Sequence, residues 1–529
     1  MLRQHQGCFP GITVTLFCLC VARTWAHEDI CKSRDYGHGS TVCVCNSSHC
    51  DILPPIHLPQ SGKALIVTSS KAGLRWKVST GRFSQHGNEI LPSDVEIEVN
   101  SKMRYQRIIG FGGAFTDASG LNILSLPEPM QEMILKAYYS ANGLEYTLGR
   151  VPVGGTDFSI REYTYDDLKD GKTDMKLSHF SLAKEDLQYK IPLIQRAIRT
   201  SSTPVKFFAS AWGAPGWMKD SGKISGKGKL LHKMYSTWAD YHVRFIKSYE
   251  KNNITFWGLT TQNEPSDGLE ESFSFNSIGW TPEDQAEWIG KHLGPVLHKN
   301  NLGHLKVMIV DDNRIFLPKW ADDIMSNNEA APYVSGVAVH WYTDWFIPPL
   351  TLDLTHEHHP ELFLLYTEAC TGQWPWQPLK VVLGSWVRAE EYAADIIESL
   401  EHWVSGWTDW NLALDLKGGP NWIKNFVDSP IIVNAPGREF YKQPMYYALA
   451  HFTKFLPEGS QRVALRRVYS GEATPSLSST AFVRPDNVTV LMFLNKGHDV
   501  ARVKLVDSRV GQMVLSVDPH TIITLAWKT

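Results

Sequence analysis

Thr260-Thr261-Gln262-Asn263-Glu264-Pro265 and Leu364-Leu365-Tyr366-Thr367-Glu368-Ala369 decide how this chain is read. Each closes an apolar, β-branched or aromatic run, the composition of a buried strand, with a glutamate. Eight-stranded α/β barrels keep their chemistry at the C-terminal mouths of their strands. A lone glutamate in such a place is most often a solvated surface group. Two on separate strands, among asparagine and aromatic residues, are what glycosidic bond cleavage requires. One carboxyl protonates the leaving oxygen, and the other meets the developing cation at the sugar carbon.

Outward from these stretches the same rhythm recurs. Strand candidates lie at 108–116, 146–155, 205–212, 256–264, 306–311, 336–342, 362–368 and 406–412, with amphipathic runs such as 191–198 and 389–404 between them. Eight strands with helical crossovers predict a (β/α)8 TIM barrel, placed at 108–457. Residues 62–105 alternate in β fashion, and after about 460 the strand candidates are 480–484, 488–495, 501–506 and 521–527. Neither segment is long enough for a sandwich of its own, so 59–107 and 458–529 are expected to form one discontinuous all-β sandwich domain. Residues 27–58 read as a small disulfide-stapled β module that can draw in 412–445.

The start reads as a secretory signal over 1–26: Arg3, an apolar core at 12–22, and Thr24-Trp25-Ala26 before the cleavage point. No later segment has about 18 uninterrupted apolar residues, so a soluble protein that enters the secretory pathway is expected. Cys8, Cys18 and Cys20 fall in the signal, Cys31, Cys43, Cys45 and Cys50 crowd one short segment, and Cys370 is alone. The cluster predicts two disulfides with three pairings open, and with no Cys-x-x-Cys pair a zinc site is not expected. Sequons begin at Asn46, Asn253 and Asn487. The 529 residues exceed one core, and the 19 Trp are flat groups suited to sugar rings as well as to packing. A net charge of −3 without any Lys/Arg cluster argues against nucleic acid as a partner.

Glu264 is the candidate general acid, with a pKa raised by partial burial and a neighbouring carboxylate, and Trp257 is expected nearby. Asn263 beside it suits a sugar 2-hydroxyl. Glu368 is the candidate nucleophile, and Arg150 on the second strand is the group to keep it ionised. His340-Trp341-Tyr342 and Trp407-Thr408-Asp409-Trp410-Asn411 end two further strands, and Asp157 and Trp212 follow two more; together they offer sugar platforms and hydroxyl hooks. Gly110-Phe111-Gly112-Gly113 reads as a tight turn, since it lacks the lysine of a phosphate loop. His356, His358 and His359 read as a solvated loop rather than a metal site. No Gly-x-Ser-x-Gly elbow is present, and Cys370 reads as a buried, inert thiol. No cofactor is expected.

At these residues the chain resembles glycoside hydrolase family 30, in particular its members that act on glucosylceramide. The motifs are Ser40-Thr-Val-Cys-Val-Cys-Asn46, Gly110-Phe-Gly-Gly-Ala114, Arg150-Val-Pro152, Asp157-Phe-Ser-Ile-Arg161, Gln262-Asn-Glu-Pro265, Val339-His-Trp-Tyr342, Gly406-Trp-Thr-Asp-Trp-Asn-Leu-Ala-Leu414 and Asn425-Phe-Val-Asp-Ser-Pro-Ile-Ile432. The resemblance runs from Cys31 to the C-terminus. It implies a retaining β-glucosidase with Glu264 as acid/base and Glu368 as nucleophile. It implies glucose contacts from Asp157, Trp212, Asn263, Trp410 and Asn425, with His340 and Tyr342 lining the pocket. It also implies disulfides Cys31–Cys43 and Cys45–Cys50, and a lysosomal enzyme at the lumenal membrane face. Its implied partners are anionic lipid, a saposin-type activator and a membrane trafficking receptor. The chain departs from the family pattern at Thr156, at Ala211-Trp-Gly-Ala-Pro215 and over 219–234, positions that bear on lipid-tail preference and activator dependence.

Overall fold

Eight short apolar runs close into a parallel barrel: Gly110–Ala114, Leu148–Val153, Lys206–Ala211, Phe256–Thr260, Lys306–Asn313, Val334–His340, Phe363–Glu368 and Val404–Asn411. The computed structural model describes residues 30–84, 93–168, 171–470 and 476–528. The predicted signal segment at 1–26 lies outside the described residues. Helices such as Ile191–Thr200, Tyr235–Glu250 and Trp386–Glu401 return the chain between strands and cover the outside of the barrel. Leu148–Val153 and Val404–Asn411 are buried at every position. Strands covered on both faces carry continuous apolar runs instead of alternation, which is why they were legible.

Gly110–Ala114 corrects the reading of Gly110–Gly113 as a turn: it is the first barrel strand. A Cβ on Gly112 would lie 2.2 Å from the Leu148 carbonyl oxygen, so only glycine lets these strands approach so closely. His356 and His358 are also misplaced by sequence; they lie on the helix Leu350–His358, with His359 at its end. His358 and His359 bond Asp322. Trp257, expected beside Glu264, sits near the start of the fourth strand, against Phe363 and Lys206 at the opposite end of the barrel.

Early and late segments meet in one nine-stranded sheet, where Val95–Arg107 pairs with Gln461–Tyr469 and Lys63–Ser70 with Thr521–Lys528. Ser84 and Gln512 exchange backbone hydrogen bonds at 2.8 and 3.0 Å, joining the two edges of the sheet around a core of Ile97, Leu491, Phe493, Val503 and Trp527. Lys77–Arg82, inside the β-alternating stretch, and Gly511–Val517 belong to this sheet but were not picked out as strands, because they carry few buried apolar residues. The sheet docks on the barrel through His451, whose ring nitrogens contact Thr524 Oγ1 at 2.8 Å and Ser69 Oγ at 3.0 Å. A five-stranded sheet joins Ser33–Asp35 and Thr41–Asn46 to Glu439–Lys442, Ile431–Asn434 and Leu414–Asp415. Disulfides Cys31–Cys43 and Cys45–Cys50 staple it.

Candidate active site

Glu368 is the last residue of the seventh strand, but Glu264 lies four residues past the end of the fourth. It is held there at φ +40, a conformation that non-glycine residues adopt at a cost. Its N–H donates to the Asp311 carbonyl at 2.9 Å, and its carbonyl accepts from Asp267 N at 3.1 Å. These backbone bonds turn the side chain back over the barrel mouth.

Arg150 lies beneath both glutamates with no exposure. Its guanidinium donates to Asp311 Oδ2 and to Asn263 Oδ1, each at 2.8 Å, and pairs with Glu368 Oε2. Trp212 and Trp410 stack on each other at 5.1 Å, with the guanidinium 4.8 and 5.4 Å from their rings. A buried cation is tolerable only when so fully partnered.

His340 was expected to line the pocket. Instead it is fully buried under Glu264, with Nδ1 3.0 Å from Glu264 Oε1 and Nε2 3.1 Å from Asp311 Oδ1. Burial disfavours its charge, but Glu368, Asp311 and Glu264 outweigh that and push its pKa up to about 10, which favours the charged ring with a proton on each nitrogen. Tyr342 does face the cavity, donating to Glu368 Oε1 at 2.7 Å. Asp157 accepts from Asn421 and Asn425 at 3.0 Å each.

The cavity above holds about 250 Å³ and is walled by Glu264, Glu368, Asp157, Trp212, Tyr342 and Trp410 among others. Asn425 also lines it, whereas Asn263 lies in the layer behind. Single donor atoms of Glu264, His340 and Glu368 fall within 4.8 Å of one another. An ion could bridge such a group, but both nitrogens of His340 and both oxygens of Glu368 already have partners.

Residues 108–456 match the family model described as the glycosyl hydrolase family 30 TIM-barrel domain, and 459–525 match the family 30 beta sandwich domain. The chain belongs to glycosyl hydrolase family 30. It is 43% identical over 520 residues to the lysosomal acid glucosylceramidase of Mus musculus, covering 97% of this chain and 98% of that one. It is 44% identical over 501 residues to putative glucosylceramidase 3 of Caenorhabditis elegans, covering 94% of each. Among solved structures, SrfJ from Salmonella typhimurium superposes with a TM-score of 0.80 at 26% identity, over 88% of this chain and 100% of that one.

As a family 30 hydrolase, the chain crowds six carboxyls (Asp157, Glu264, Asp267, Asp311, Asp312 and Glu368) around two cations, Arg150 and His340. They cannot all ionise. Burial pushes Asp157 up to about 7 despite its two amide donors, and Asp312 up to about 6. Burial and the charge of Glu264 push Asp267 well above the carboxylate range. The expectation of a raised Glu264 fails in the free enzyme. Burial pushes it up, but the hydrogen bond and charge of His340, a hydrogen bond from Asp267 and the charge of Arg150 bring it below its ordinary value. Burial raises Glu368, and Arg150 and His340 recover part of that.

Sequence reading missed Asp267, Asp311 and Asn421. Asp311 was within reach, since Val307-Met-Ile-Val-Asp311 ends an apolar run on an acid as the two glutamates do. Asn421 lies in Gly418-Gly-Pro-Asn421, which signals only a turn.

Proposed function

We propose that this hydrolase is a retaining β-glucosidase that cleaves glucosylceramide to glucose and ceramide by double displacement. The observation that carries the reading is the placement of Glu264 and Glu368 oxygens within 4.8 Å across one cavity. Retaining enzymes hold their two carboxyls about 5–5.5 Å apart, whereas inverting ones leave about 6.5–9.5 Å for a water. In this reading Glu368 bonds to the sugar C1 as Glu264 gives its proton to the departing oxygen. Water then attacks C1, Glu264 takes its proton, and the bond to Glu368 breaks. Asp157, Asn425, Trp212, Trp410 and Tyr342 hold the glucose, and Arg150, braced by Asn263 from the layer behind, orients Glu368.

The rim supports a lipid substrate. Trp345 and Trp376 are each 69% exposed, and they join Phe346 and Trp374 in an aromatic chain that reaches the cavity wall. Exposed aromatic surface of this kind suits the headgroup boundary of a bilayer. No helix among the described residues is long and apolar enough to cross a membrane, so the reading is of a peripheral enzyme. Lysosomal residence completes it, by likeness to the mouse relative; entry through a cleaved 1–26 signal, a saposin-type activator and a trafficking receptor belong to the same reading through the family resemblance of the sequence. Glycans on Asn46, Asn253 and Asn487 fit a secretory route; Asn253 and Asn487 are exposed.

The test is glucose release by purified protein from glucosylceramide in vesicles, against galactosyl and xylosyl analogues. Turnover confined to the glucosyl lipid supports the reading; preference for another sugar overturns it.

A further inference from the structure

The turn that carries Glu264 brings a second carboxyl, Asp267, against it. Asp267 N donates to the Glu264 carbonyl at 3.1 Å, and the two carboxyls line the same cavity, near enough for the charge of Glu264 to raise Asp267. The turn cannot open easily. Ser266 donates from N and Oγ to Asp312 Oδ2 at 3.2 and 2.7 Å, Trp280 N donates to the Pro265 carbonyl at 3.1 Å, and a Cβ on Gly268 would lie 2.0 Å from Gly279 N. Two carboxyls can hydrogen-bond only if one of them carries a proton.

We propose that Asp267 is a positioning residue that shares one proton with Glu264 and acts as its reservoir. This rests on Glu264 being the acid/base. The free pair holds its proton on Asp267, because the His340 cation on the other side of Glu264 favours the Glu264 carboxylate. With substrate bound the proton crosses to Glu264, which delivers it to the glycosidic oxygen as the bond from C1 to that oxygen breaks and C1 bonds to Glu368. Both members of the pair are then carboxylates. Water attack on C1 returns a proton to Glu264, the bond between C1 and Glu368 breaks, and the proton passes back to Asp267. One proton leaves the pair and one returns. The charged groups around Asp267 are Glu264 on its own turn, Asp312 from the fifth strand and Glu368 from the seventh, with His340 and Arg150 beyond Glu264. All three of the nearer groups are acids, which keeps a proton on the pair.

The experiment compares the pH profile of kcat/KM for Asp267→Asn and Asp267→Ala with the unaltered enzyme, together with an infrared titration of protonated carboxyl groups. Without Asp267 the pair loses the carboxyl that holds the proton, and Glu264 alone, kept low by His340, sets the basic limb, which moves to lower pH by about one unit or more in both variants. The infrared difference between the unaltered protein and Asp267→Asn contains a protonated carboxyl that titrates well above the carboxylate range, beyond those of Asp157 and Asp409 that both proteins share. A basic limb unchanged in both variants, or no such carboxyl in the unaltered protein, overturns the proposal. The infrared signal does not depend on turnover. If it is present in a protein that hydrolyses no β-glucoside, the functional reading falls and the shared proton stands.

Discussion

Arg150 donates to Asp311 Oδ2 at 2.8 Å where neither side chain has any exposure to solvent. Asp311 is the hinge of the site, because its other oxygen bonds His340 and Thr367. Together Arg150 and His340 hold its carboxyl far below the carboxylate range against the opposing effect of burial. One buried anion thus positions the two cations that face Glu368 and Glu264.

Arg150→Met strands Asp311 and Glu368 without their cation, and breaking such a buried pair costs about 3–5 kcal/mol. The expected result is a large drop in melting temperature and loss of activity. Arg150→Lys keeps the charge but not the planar fork that reaches Asp311, Asn263 and Glu368 at once. It should fold and show a kcat lowered by at least about tenfold. Equal activity in the lysine variant would show that charge alone suffices.

The two glutamates should separate by role. Glu368→Gln is expected to abolish turnover, since no glucosyl intermediate can form. Glu264→Ala should lose about 10²–10⁴-fold on substrates with poor leaving groups, less on activated ones, and recover in part with azide. A slow-leaving fluorosugar should label Glu368; mass spectrometry finding the label on Glu264 would reverse the assignment.

Acidification from neutral pH should stabilise the fold. Burial raises Asp117 to about 6, Asp157 to about 7 and Asp312 to about 6, and lifts Asp267 and Asp409 well above the carboxylate range. A carboxyl with a raised folded pKa binds its proton more tightly when folded. Its contribution is complete below the unfolded value and is lost as pH rises through the folded one, at up to roughly 1.4 kcal/mol per pH unit. His451 and His242 oppose this, since burial lowers them to about 3 and about 4 and their contribution fades as pH falls below 6.5. The carboxyls outnumber them. Calorimetry should therefore show a melting temperature several degrees higher near pH 5 than near pH 7; a lower one would mean the histidines dominate.

Binding to lipid should depend on the aromatic rim. Replacing Trp345 and Trp376 with serine removes two exposed rings without touching the cavity wall, and should weaken vesicle binding by roughly tenfold or more. Activity on a soluble β-glucoside should be unchanged. Because acidification makes a protein more cationic, hydrolysis in vesicles should also rise with anionic lipid at acidic pH and fall with salt. Equal rates on neutral and anionic vesicles would contradict the electrostatic part.

The barrel and its two glutamates were legible in the chain because both are local signals. A strand buried on both faces needs a continuous apolar run, and an acid at its end, as at Glu368, or just past it, as at Glu264, interrupts that run visibly. Where one local pattern serves two geometries, the reading failed. The glycines at 110–113 could make a turn or admit a neighbouring backbone, and only the distance to Leu148 decides. His340 was read as a sugar contact because sequence shows its strand end but not the carboxylates above and below it. Its charge, the lowered proton affinity of Glu264 and the pairing with Asp267 depend on groups that come from different strands and loops. Electrostatic interactions depend on distance and burial, and both are set only when the chain closes the barrel. Sequence therefore determined which residues could do the chemistry, and tertiary structure decided which of them hold the protons.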